Sequence, residues 1–196
     1  MSVEEARAEL AYIRRLMEDT RQATYVSGGY FIVWGIVIGA GLLLTWLQLT
    51  GRMPMMPMLS WTACLAVGGI GTFFLVQAEQ RRPVETPAGR LIGMVWMSVG
   101  ISMLIVFFVG TGTGALSGSL MPAISSTFVG TAVFLTGTLA GLAWVRNLAL
   151  GWWIGAAAMF AWPGLHVLLL MGVMLFVLYV IPGVILIRKK QPYGRA

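Results

Sequence analysis

Charge is scarce in this chain and absent from its long apolar stretches. Asp, Glu, Lys and Arg make up 10% of 196 residues, while 58% are hydrophobic; a soluble domain carries about 25% charged residues. Ionisable groups inside a bilayer are costly and usually mark proton relays or ion pathways. Their absence argues against a carboxylate-based proton-coupled carrier and a charge-lined channel. A sodium site built from carbonyls and hydroxyls needs no charge and stays open. Cysteine is nearly missing too: Cys64 stands alone, which excludes an internal disulfide and a dithiol redox pair. One histidine, His166, excludes bis-histidine haem ligation within one chain. It leaves a Ser–His dyad with Ser119, Ser125 or Ser126 as the only catalytic arrangement, beside the plainer reading of an interfacial histidine. No GxSxG, Walker loop, dinucleotide fingerprint or zinc spacing is present. The chain reads as a non-enzyme, with no cofactor predicted.

What is present is hydrocarbon. Mean hydropathy is +0.85, and six apolar stretches approach the ~20 residues that a membrane-crossing helix requires. The predicted fold is all-α: a polytopic membrane bundle of six transmembrane helices behind a cytoplasmic amphipathic helix at 1–26. The membrane domain covers 27–190, with spans at about 30–49, 59–77, 91–109, 123–145, 148–162 and 166–187. A short cytoplasmic tail follows at 191–196. Ser27-Gly28-Gly29 reads as a flexible joint, Arg146-Asn147 as a tight turn, and Pro182 as a kink in the last span.

Orientation follows from counting cations. With the N-terminus inside, twelve of the 13 Lys and Arg residues lie on the cytoplasmic side and only Arg52 lies outside, a strong positive-inside signal. Both termini are therefore expected in the cytoplasm, the membrane being a bacterial inner membrane. A net charge of +6 would suggest nucleic acid in a soluble protein; here it belongs to membrane loops, and no nucleic acid is expected. Trp34, Trp96, Trp144, Trp152 and Trp153 are expected near the inner interface, and Trp46, Trp61 and Trp162 near the outer.

Residues 2–24 form the charged opening helix. Ser2 and Glu5 fit a capping box, and Val3, Ala6, Leu10, Ile13 and Met17 recur at spacings of three and four. The stripe packs on the membrane domain or on lipid headgroups, drives self-association into a homo-oligomer, or docks a cytosolic or membrane protein partner. Val3, Leu10, Ile13 and Met17 are the candidate contact residues.

Within the spans, small residues mark helix packing, since they let backbones approach closely in lipid. The candidates are Gly35 and Gly39, Cys64 and Gly68, Gly130, Gly137 and Gly141, and Gly151 and Gly155. The stretch from Met121 to Val145 is the most polar apolar span. At about 100° per residue, Thr127, Gly130, Thr131, Gly137, Thr138 and Gly141 share a face with Phe134 at its centre. That face either packs on a neighbouring helix or lines a pocket for a neutral or lipophilic ligand, with Thr127, Thr131, Phe134 and Thr138 as its contacts. A second cluster, Met53, Met55, Met56 and Met58 on the outer side, either covers the interface or supplies soft thioethers for Cu(I) with His166 nearby; closely spaced methionines of this kind look like the motifs of copper-transport proteins.

The segment LAYIRRLMEDTRQ, with Ile13, Arg14, Met17 and Glu18, resembles the start of certain small uncharacterised bacterial membrane proteins, which place a cytoplasmic helix ahead of several spans. A looser similarity is to the substrate-binding subunits of energy-coupling-factor vitamin transporters, six-span and glycine-rich, whose coupling contact uses a small-xxx-small motif of the kind Gly35 and Gly39 supply. The functional expectation is a non-enzymatic membrane protein acting in assembly, partner binding or regulation through its N-terminal helix. The alternatives are a binding or transport subunit for a neutral or lipophilic molecule and, below it, Cu(I) handling.

Overall fold

A computed structural model describes residues 9, 27–54, 56–80 and 87–189. All regular structure among them is helical. We label the helices α1 (Gly28–Leu49), α2 (Pro57–Gln80), α3 (Pro87–Leu104), α4 (Met121–Leu139), α5 (Ala143–Ala161), α6 (His166–Leu175) and α7 (Ile181–Lys189). A π-helical segment, Ile105–Thr111, extends α3, and a second one, Phe176–Val180, joins α6 to α7. The second lies directly before Pro182, whose ring would collide with the Leu178 carbonyl in a regular α-helix; the wider turn gives that ring room.

Five helical stretches are long and apolar enough to cross a membrane: Gly28–Leu49, Pro57–Ala78, Pro87–Thr111, Gly118–Leu139 and His166–Arg188. The remaining helix, α5, is shorter, at 19 residues, and carries Arg146 and Asn147 in its first turns. Here the structure differs from the sequence reading. The fourth span ends at Leu139 rather than Val145, and the turn falls at 140–142 rather than at Arg146-Asn147. Gly141 decides this. Its φ is +66°, a left-handed conformation that a side chain resists. The Leu142 amide donates to the Gly137 carbonyl at 2.8 Å and the Gly141 amide to that of Thr138 at 3.2 Å, which closes a Schellman motif. Gly141 thus ends a helix instead of packing one.

The core lies between the α4–α5 hairpin, α1 and the last span. The α4–α5 pair shares the most extensive interface. Val145, Ala149, Trp152, Ala156 and Met159 form its α5 face, at the alternating spacing of four and three that keeps one stripe of a helix inward. Helix α1 packs on α2, α6, the second π segment and α7. Helices α2 and α3 are peripheral. Buried residues are 11% of the most apolar stretch of α2 and 0% of that of α3; each packs along one side only, α2 on α1 and α3 on α4, and leaves the rest of its surface open.

Candidate functional site

Glycine sets the closest contacts. A Cβ on Gly137 would stand 2.2 Å from the backbone nitrogen of Arg146, and one on Gly28 2.2 Å from the carbonyl oxygen of Gly183. Both are backbone-to-backbone crossings, where any added side chain forces the two backbones apart. Gly28 is therefore a packing residue, not a joint. Gly130 receives Trp153, Gly151 receives Leu178, Gly155 receives Met174 and Gly35 receives Val180, a common pattern of glycine beneath a large side chain. Gly39 does not follow it. A Cβ there would meet nothing within 4 Å, and the residue opens onto a cleft.

The tryptophans hold helices to one another. Trp34 of α1 lies over Gly68 of α2, and its indole N–H donates to Thr72 Oγ1 at 3.0 Å. Trp61 of α2 lies over Gly41 of α1 and donates to Thr45 Oγ1 at 2.9 Å. Each helix thus supplies a tryptophan, then a glycine, then a threonine four residues beyond it, and the antiparallel pair clasps reciprocally. The signal is visible in the chain once sought: Trp34–Gly41–Thr45 and Trp61–Gly68–Thr72 have identical spacing. Trp96 of α3 likewise donates to buried Thr136 of α4 at 3.0 Å. Trp152, expected near the inner interface, is 0% exposed at the middle of α5, and its indole nitrogen has no hydrogen-bond partner among the described residues. Its ring stands 6.0 Å from that of Tyr179 at 90°. Tyr179 also meets Phe31 at 4.5 Å and Trp96 at 6.0 Å, so one aromatic group ties together α1, α3, α5 and the second π segment. Trp162 at the end of α5 is 70% exposed.

The hydroxyl face of α4 divides. Ser126, Gly130, Val133, Thr136 and Gly137 are buried, and Ser126 Oγ donates to the Trp152 carbonyl at 2.7 Å. Thr127, Thr131, Phe134 and Thr138 lie on the exposed side. Their hydroxyls donate to carbonyls one turn back, Thr127 to Ala123 at 3.0 Å, Thr131 to Thr127 at 3.1 Å and Thr138 to Phe134 at 2.8 Å. Phe134 stacks obliquely on Trp153 at 5.7 Å. These four residues stand together, but on the outside of the bundle, whereas Gly130 and Gly137 are buried against α5.

The methionine loop is only partly described. Met53 is half-buried, Met56 and Met58 are exposed, and Met55 lies outside the described residues. The His166 imidazole is exposed and turns its Nε2 to the Trp162 carbonyl, 2.8 Å away. Among the described residues no group of three or more His, Cys, Asp or Glu side chains is placed to hold a metal. Val3, Leu10, Ile13 and Met17 also lie outside the described residues.

One concavity among the described residues has no counterpart in the sequence reading. It is a cleft of ≈ 350 Å³ between α1 and the last span, lined by Gly39, Leu42, Leu43, Leu168, Gly172 and Phe176 among others. Glycines on both walls create it, since a Cβ on Gly172 would also meet nothing within 4 Å. No family model, curated protein or solved structure matches this chain.

Proposed function

We propose that this chain is a six-span, non-enzymatic protein of a bacterial inner membrane. Both termini are cytoplasmic, and residues 2–24 recruit a partner or a second copy. The observation that carries this reading is where the interior polar groups are spent. Trp34, Trp61 and Trp96 bond threonines on neighbouring helices, and Ser126 bonds the α5 backbone. The described interior therefore works at holding helices together, which suits a protein whose action lies in assembly.

The span count has its own support. The 19 residues of α5 give ~28 Å of helix at 1.5 Å each, close to a hydrocarbon core of ~30 Å. Arg90, Arg146 and Arg188 stand at the helix ends that six crossings assign to one side, and Arg52 stands on the other. Deletion of residues 2–24, followed by crosslinking in intact membranes, tests the assembly reading. Loss of the crosslinked species with the membrane domain still inserted is the expected result. An unchanged crosslinking pattern would overturn it.

A further inference from the structure

We propose that the cleft between α1 and the last span is a lipid site, which holds one acyl chain of an anionic phospholipid whose phosphate pairs with Arg52. This goes beyond the assembly reading and does not depend on it. The cleft's lining is apolar, so water filling it would find no hydrogen-bond partners. Left empty, its walls would forfeit dispersion contacts. Hydrocarbon is the occupant that suits it, and in a membrane-spanning segment hydrocarbon means lipid tails.

Its depth fits one leaflet. From Gly39 to Leu49, the last residue of α1, the helix rises ~15 Å, half of a ~30 Å hydrocarbon core. Gly39 then lies near the midplane and the end of α1 at the headgroups. Trp46 continues the Gly39–Leu43 stripe outward by one turn, and the Arg52 guanidinium stands 5.1 Å above its ring centroid.

Charge selects the headgroup. The seven acidic residues are Glu4, Glu5, Glu9, Glu18, Asp19, Glu79 and Glu85. None falls in the loops at 50–56, 112–117 or 162–165, which share this end of the bundle. Among the described residues of this end Arg52 therefore has no carboxylate to pair with, and a lipid phosphate supplies the missing anion. A basic residue near the headgroups favours an anionic lipid by about fivefold.

The test uses the full-length protein, delipidated in mild detergent and titrated with phosphatidylglycerol or phosphatidylcholine while bound lipids are counted by native mass spectrometry. Arg52→Gln should remove one tightly held phosphatidylglycerol. Gly172→Leu, which fills the cleft, should remove one as well. The double variant should also lose one and not two, because independent sites would add whereas one lipid spans both positions. Two lipids lost in the double variant, or no loss in either single variant, would overturn the proposal. So would a change of oligomeric state in Gly172→Leu with lipid binding intact, since the cleft would then belong to a second copy. If Gly172→Leu does not fold, Arg52→Gln decides alone, and an unchanged phosphatidylglycerol-over-phosphatidylcholine preference at the tightest site would end the idea.

Discussion

Glycine does at least three different jobs in this chain, and only its surroundings tell them apart. Gly137 and Gly28 let backbones touch, Gly141 reverses the chain at positive φ, and Gly39 and Gly172 leave a space. A methyl group separates the cases. Gly137→Ala would push a carbon into the Arg146 backbone, and overpacking of this kind costs about 1–3 kcal/mol. Gly93→Ala on α3 would meet nothing within 4 Å and should leave stability unchanged or slightly raised, since alanine is the better helix former. Thermal unfolding of both variants in the same detergent checks the contrast; equal losses would show that the α4–α5 crossing is looser than described.

The α1–α2 hairpin is the clearest case at the scale of elements. Its two indole–hydroxyl bonds are related by a shared spacing, so the halves of the clasp should count alike. Thr45→Val and Thr72→Val each remove an acceptor while keeping a β-branched shape. Interhelical hydrogen bonds in membranes average about 0.6 kcal/mol. Each variant should lose about that much in denaturant titration, and the pair about twice as much if the two bonds are independent. Thr136→Val should cost more, because Thr136 is 0% exposed and nothing from the surroundings can replace the acceptor it offers Trp96, a penalty of about 1–3 kcal/mol.

For the whole molecule the question is whether α5 crosses the membrane. Ala143 and Trp162, at its two ends, are both exposed. With Cys64 replaced by serine, a cysteine at 162 should react with an impermeant maleimide added outside intact spheroplasts. One at 143 should react only after lysis. Labelling of both from the same side would make α5 a re-entrant hairpin arm and reverse the assignment of everything before or after it.

By itself the sequence determined the class of this protein and the rough place of most helices, because a hydrocarbon solvent demands long apolar segments whose backbone bonds are satisfied internally. Length and hydropathy are local properties, legible without a fold. It also pointed to Gly35, Gly68, Gly130, Gly137, Gly151 and Gly155 as packing positions, since small residues in lipid serve few other ends. The tertiary structure alone decided which side of α4 meets α5, and so divided Ser126 and Thr136 from Thr127, Thr131 and Thr138. Helical spacing puts residues on a common face but does not say where its edge falls against a neighbour. Only the structure made knobs of Trp34 and Trp61 and a core residue of Trp152, because an indole suits an interface and a helix seam equally well. The cleft at Gly39 and Gly172 belongs to the same kind of knowledge. A space between two helices distant in the chain has no residue of its own, and nothing in either segment records it.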